Sequence, residues 1–240
     1  MNAAEVARRV RELVELRIGR PQNELEQSRL SLPGEFPARI EVFALGLAQW
    51  GGRVNLTASP EDPEEVAFHV IDSLMGLPLC DAAVRRGPAA ASNGKRILDF
   101  GSGGGFPGVI LAAARPSVEF VLVEARRKRA SFLSIVISKM GLPNAKVQAE
   151  RLLPAAVKAH FDAITSRASG PLESFLKTAD FALRYDGSAI LYANPSQSIE
   201  TNPTAARTLS LVPHGQLFYE VERHGRAVKR LLVTWRKSPV

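Results

Sequence analysis

The sequence predicts an α/β fold: a doubly wound, mostly parallel sheet with an antiparallel C-terminal hairpin, preceded by a helical extension. Three observations predict it. Residues 95–113, KRILDFGSGGGFPGVILAA, read as strand, glycine turn and helix, the nucleotide-binding opening of such a sheet. From Arg96 onward, short apolar strand-type runs alternate with helical periodicity. Close to the C-terminus, two more strand-type runs flank His224-Gly225, the mark of a hairpin.

Residues 3–18 place Val6, Val10, Leu13 and Val14 on one helical face, with Arg8, Arg9, Arg11 and Glu12 around it. Residues 19–34, rich in Gly, Pro, Asn and Ser, read as a linker. Residues 36–50 predict a second helix, with Ile40, Phe43, Leu47 and Trp50 spaced for burial and Gly51-Gly52 ending it. VNLTA, 54–58, is a loop leading into SPEDPEEVAFHVIDSL, where Ser59 or Asp62 is placed to cap a third helix running through His69, Asp72 and Ser73. DAAVRRGPAAASNGK, 81–95, reads as a linker or surface loop. The expected division is a helical extension over 1–80, a connecting segment over 81–95 and the sheet over 96–240, together one compact unit.

Within the sheet, a strand over 97–100 feeds a helix at about 107–114, whose start Pro107 pre-sets. A second strand, 119–123, ends at Glu124. Residues 128–140 form a helix with Phe132, Leu133, Val136 and Met140 inward, stopped by Gly141. A short third strand spans 145–148; a fourth, 161–165, leads to Ser166-Arg167-Ala168. Residues 171–183 are helical and 188–192 form a fifth strand; 217–222 and 228–235 are the arms of the hairpin.

Composition bounds the function. The 240 residues suffice for one α/β domain with an added segment, and an apolar content of 45% is that of a globular protein. The 31 Lys and Arg against 24 Asp and Glu suit either a solvated basic surface or a polyanionic partner. A single cysteine, Cys80, in an apolar LPLC run, excludes an internal disulfide and a cysteine-rich metal site; no metal is expected. The first 15 residues lack a signal peptide's apolar core, and no run reads as the roughly 18 apolar residues of a membrane span, so a cytoplasmic protein is expected; a monomer is expected as well.

The glycine turn admits two cofactor classes. Gly103, Gly105 and Gly108 match a dinucleotide fingerprint, with Glu124 placed for a ribose. Asp99, in D-x-G-x-G, argues for S-adenosylmethionine, because it suits a methionine ammonium and would repel a pyrophosphate. The antiparallel closing hairpin points the same way.

Beyond that, the chain resembles the bacterial small-subunit ribosomal RNA guanine-N7 methyltransferases, the glucose-inhibited division protein B family. The matching pieces are Trp50 with NLTA at 55–58, HVIDSL at 69–74, LDFGSGGGFPG at 98–108, LVEARRKRASFL at 122–133 and FDAITSRA at 161–168. The resemblance implies a Rossmann-like, class I S-adenosylmethionine-dependent methyltransferase domain. It also implies methylation of N7 of the position-527 guanosine of 16S rRNA, with the RNA or the small ribosomal subunit particle as partner. A noncatalytic RNA-binding or assembly protein on the same fold, and an NAD-type oxidoreductase, are the alternatives.

Guanine N7 carries a lone pair and needs no deprotonation, so alignment rather than acid–base catalysis is expected, and no catalytic residue is assigned. Asp99, Gly101, Gly103, Gly105 and Phe106 are expected at the cofactor, and Glu124 on its ribose hydroxyls. Leu152 and Leu153 take the place of the family's acidic pair near the adenine, with Glu150 available by a one-residue shift. Arg167 is expected at the mouth of the site, on RNA phosphate or the cofactor carboxylate. Asn55, His69 and Asp72 are candidates for substrate alignment; the last two, three residues apart on one helical face, are spaced to pair structurally. Arg126, Arg127, Lys128 and Arg129 are RNA-facing candidates, because cations at a helix start oppose the helix dipole. The chain departs from the family pattern at Gly51, where Asn is common, and after the fifth strand, where Lys-Gly is common and this chain reads Tyr192-Ala193-Asn194.

Overall fold

A computed structural model of the chain describes residues 1–19, 31–87, 94–152, 161–167, 170–196 and 209–238. The strands are β1 (Arg96–Phe100), β2 (Glu119–Val123), β3 (Ala145–Gln148), β4 (Phe161–Arg167), β5 (Leu183–Ala193), β6 (Leu211–Arg223) and β7 (Arg226–Lys237). They form one sheet in the order β3-β2-β1-β4-β5-β7-β6. β1 to β5 are parallel; β7 lies antiparallel to β5 and β6 antiparallel to β7. This is the fold class the sequence predicts. The winding reverses between β1 and β4, where such sheets open a crevice above the carboxyl ends of their strands.

Period-2 alternation gives the sheet two apolar faces. Ile97, Phe120, Leu122 and Ile190 belong to one buried cluster, while Leu98, Val121, Val123 and Ala189 belong to the other. The second face is covered by α7 (Leu172–Ala182), through Phe175, Leu176 and Ala179. Against the first pack α5 (Gly108–Ala114) and α6 (Arg127–Lys139), together with four helices that precede the sheet. These are α1 (Ala3–Ile18), α2 (Phe36–Trp50), α3 (Pro63–Leu74) and α4 (Leu77–Arg86). Val6, Val10 and Val14 of α1 lie in the same buried cluster as Phe120 of β2 and Leu232 of β7, so the helical extension and the sheet share one core.

Local chemistry accounts for the helix starts. Asn2 accepts from the amides of Ala4 and Glu5 while Glu5 accepts from the Asn2 amide, a complete capping box for α1. Of the two residues expected to cap the third helix, Asp62 does so, accepting from the Glu64 amide at 2.9 Å. Gly51, the departure after Trp50, is explained by packing: a Cβ there would lie 2.0 Å from the Pro60 ring.

Three expectations need correction. The segment 81–95 is not all linker, because α4 continues to Arg86 with Cys80, Ala83 and Val84 buried; residues 88–93 lie outside the described part. The run 63–86, spanning α3 and α4, is long and apolar enough to pass for a membrane span by length and composition, although 61% of the qualifying window is buried inside the fold. The hairpin arms are also longer than their apolar cores, since residues 212–216 of β6, VPHGQ, are exposed and their Pro213 and Gly215 hide the strand. A register shift between Pro213 and Gly215 breaks their alternation further.

The length of the hairpin matters for the site. Pairing of β5 with β7 ends at Ala193 and Leu231, whereas pairing of β6 with β7 continues to Arg223 and Arg226. The tip therefore overhangs the carboxyl edge of the sheet. There it meets α3: Arg223 pairs with Glu65, and His224 Nε2 lies 3.2 Å from Asp62. Asp62, Glu65 and His224 bring three ligand-type atoms within 4.8 Å of one another, but Arg223 already claims Glu65 and Asp62 caps the helix.

Candidate cofactor site

A cavity of about 570 Å³ opens above the carboxyl ends of β1, β2 and β4. Its floor is the glycine turn. Gly101 and Ser102 both donate to the Val123 carbonyl, at 3.0 and 2.9 Å, which ties the turn to the end of β2. Gly103 has φ +53°, a conformation glycine adopts without the steric cost a Cβ imposes, and it presents its edge to the cavity. Gly104 lets the NLTA loop lie directly on the turn, since a Cβ there would be 2.4 Å from the Leu56 carbonyl oxygen.

Glu124 follows β2 and is pinned by two backbone amides: Gly103 donates to Oε2 at 2.9 Å and Arg126 donates to Oε1 at 2.8 Å. Each carboxylate oxygen keeps a further lone pair, so the group is oriented at the cavity wall and still able to accept two hydroxyls. The wall beyond it is Val123, Glu150, Arg151 and Leu152. Both alternatives near the adenine, Glu150 and Leu152, thus line the cavity; Leu153 lies outside the described residues.

At the other end stands Arg167, the last residue of β4. Its guanidinium carbon lies 4.9 Å from the centre of the Phe106 ring, within cation–π range. Its NH1 is 3.0 Å from His69 Nδ1 and 3.7 Å from Asp72 Oδ2. Burial, reinforced by Arg167, Arg230 and Arg223, lowers the His69 pKa to about 3. The ring is therefore neutral near pH 7. Since a guanidinium only donates, Nδ1 accepts and the ring proton sits on Nε2. His69 and Asp72, spaced to meet each other, instead take separate partners: His69 lies on Arg167, while Asp72 is held by Arg230 and Tyr219.

Asp99 is the main correction. It is fully buried, does not line the cavity, and braces the turn from below. Oδ1 accepts from Thr165 Oγ1 at 2.9 Å, its register partner on β4, and Oδ2 accepts from the Gly108 amide at 3.2 Å. Burial raises its pKa to about 6. Both carboxylate oxygens are thus engaged beneath the turn, by Thr165 and by the Gly108 amide, rather than presented to the cavity. Gly105 also faces inward, where a Cβ would be 2.9 Å from Val109 and 3.0 Å from Phe43. Asn55 is exposed and lines a neighbouring hollow with Arg53 and Thr57, while Leu56 beside it reaches the cofactor cavity.

The cation run divides. Arg126 and Arg129 line the cavity; Arg127 and Lys128 are exposed beyond it. Among the described residues none of the four forms an ion pair. Sequence reasoning missed Ser102 and Leu56, which sit inside the quoted motifs but were passed over for their glycine and asparagine neighbours. It also missed Tyr219 and Arg230, which reach Asp72 and carry no local signal.

The family model described as rRNA small subunit methyltransferase G (GidB) matches residues 38–224, from the second helix to the hairpin tip. The chain belongs to this family. The ribosomal RNA small subunit methyltransferase G of Chromobacterium violaceum is 30% identical over 226 residues, covering 93% of this chain and 96% of that one. The protein of the same name from Sorangium cellulosum is 41% identical over 138 residues, covering 56% and 54%. Among solved structures, an S-adenosylmethionine-dependent O-methyltransferase from Thermotoga maritima shares the fold, with 17% identity, a TM-score of 0.52 and coverage of 71% of this chain and 66% of that one. Membership in the family, rather than Asp99, decides against the dinucleotide reading. The matched span takes in every element that touches the cavity.

Proposed function

We propose that this member of the rRNA small subunit methyltransferase G family transfers a methyl group from S-adenosyl-L-methionine to N7 of a guanosine in 16S rRNA, the position-527 guanosine by family resemblance. The observation that carries the reading is Glu124: a carboxylate fixed by the amides of Gly103 and Arg126, beside a glycine turn, in a chain that belongs to a methyltransferase family. The cradle fits the cofactor. Gly101 and Gly103 let the ligand approach the backbone, Glu124 accepts its ribose hydroxyls, and Leu152 supplies an apolar wall for the adenine. Arg167, at the β4 end, pairs with the carboxylate of its amino-acid end.

Bound there, S-adenosylmethionine supplies a sulfonium methyl group that a neutral guanine N7 accepts on its lone pair. No residue has to remove a proton, and His69, held neutral and hydrogen-bonded to Arg167, is not needed as a base. The chain's work is alignment and exclusion of water. Phe106 and Leu56 narrow the cavity, Arg167 and Glu124 fix the two ends of the cofactor, and Arg127 and Lys128 reach toward RNA phosphate. Helical extension and sheet act as one unit, in the cytoplasm, on the RNA or on the small-subunit particle. Titration calorimetry with S-adenosylmethionine tests the assignment: saturable one-to-one binding is expected, and no heat at millimolar ligand would overturn it.

A further inference from the structure

The Asp72 carboxylate lies fully buried on α3, 158 residues in sequence from Arg230 and 147 from Tyr219. Arg230 spans it with a fork, Nε to Oδ1 at 3.0 Å and NH2 to Oδ2 at 3.2 Å, and the Tyr219 hydroxyl donates to Oδ1 at 2.7 Å. Arg167 stands at 3.7 Å from Oδ2, outside hydrogen-bond range. Two guanidinium groups thus compete for one carboxylate, and the hairpin's holds the bidentate geometry that makes such pairs strong. If Arg230 let go, Arg167 would close onto Asp72, give up the His69 nitrogen and the Phe106 face, and withdraw from the cavity wall.

We propose that Arg230 and Tyr219 are positioning residues: by filling the hydrogen-bonding edge of Asp72 they keep the Arg167 guanidinium seated on His69 and Phe106 and aimed into the cofactor cavity. The C-terminal hairpin is then part of the cofactor site, although neither residue lines it. The inference rests on the reading of Arg167 as the partner of the cofactor's carboxylate. A merely structural network would brace α3 against the hairpin and leave Arg167 alone.

A pair of ligands separates these roles. S-adenosylhomocysteine carries the amino-acid end, and 5′-methylthioadenosine has the same adenosine without it. The ratio of their affinities, measured by calorimetry on the full chain, reports the Arg167 contact and cancels general losses of stability. Arg167→Gln should lower the ratio about tenfold or more, the range of a charge-assisted hydrogen bond. Arg230→Gln and Tyr219→Phe should lower it about threefold to tenfold, with Arg230→Lys, which keeps the charge but not the fork, between Arg230→Gln and the parent. An unchanged ratio in Arg167→Gln would refute the Arg167 reading itself. A lowered ratio there with the parent ratio in Arg230→Gln and Tyr219→Phe would overturn the positioning proposal alone. If Arg230→Gln fails to fold, Tyr219→Phe, which removes one hydroxyl, decides the matter.

Discussion

The two ends of the cofactor cavity are built in opposite ways. The Glu124 end is local: the glycine turn, the carboxylate and its two amides come from residues 101–126, on neighbouring strands. The Arg167 end is assembled from α3, β4 and the hairpin, with partners 98 and 158 residues apart in sequence. A local end keeps its geometry as long as β1 and β2 stay paired. An assembled end depends on the whole fold closing, which makes it the more sensitive place for distant changes to act.

Substitutions can break this contrast in order of size. Glu124→Ala removes the acceptor we propose for both ribose hydroxyls and strands two amides. It should weaken S-adenosylhomocysteine and methylthioadenosine alike, by about 100-fold or more at about 1.5–3 kcal/mol per charged hydrogen bond. Equal losses for both ligands would sharpen the division of labour; loss of S-adenosylhomocysteine alone would break it.

Asp99→Asn addresses the residue beneath the turn. The folded-state pKa of Asp99, about 6, lies above its ordinary value of 3.8, so the folded state binds this proton more tightly than the unfolded one. Its contribution to stability is present below pH 4 and declines as pH rises to 6, by about 3 kcal/mol for a shift of this size. Asparagine abolishes that slope. Denaturant melts of both proteins between pH 4 and 7 should show the difference curve flattening above pH 6, with the ligand ratio unaltered; a changed ratio would return Asp99 to the cofactor.

The smallest effect is expected outside the cavity. Replacing Arg127 and Lys128 with Gln should reduce the salt slope of RNA binding by about 1.4, two phosphate contacts at about 0.7 each on single strands, and spare cofactor affinity. Adding Arg126→Gln and Arg129→Gln should begin to cost cofactor affinity, because those two side chains line its cavity. Equal behaviour of the two pairs would contradict the split.

The same contrast explains what the sequence revealed. The sheet was legible because strand alternation, glycine stops and helical periodicity are short-range signals, and the place of Glu124 on the cavity wall was legible because a strand end sets it. The burial of Asp99 was not legible: the motif locates a residue at a strand end but not the face on which its side chain falls, and Thr165, its partner, lies 66 residues away. His69 and Asp72 were found as a pair by helical spacing, yet the spacing could not disclose that Arg167 lies between them. Tyr219 and Arg230 sit in an ordinary hairpin, and only the register of β6 and β7, which carries the tip past Ala193, brings them to α3.

The central claim is methyl transfer to a guanine N7 of the small-subunit RNA. It is tested most directly by mapping 7-methylguanosine in 16S rRNA from otherwise identical cells with and without the gene, by reductive strand scission at the modified base. The account predicts one scission site, at the position-527 guanosine, that vanishes with the gene and returns when the wild-type chain, but not Glu124→Ala, is restored. An undiminished signal in cells lacking the gene would contradict it.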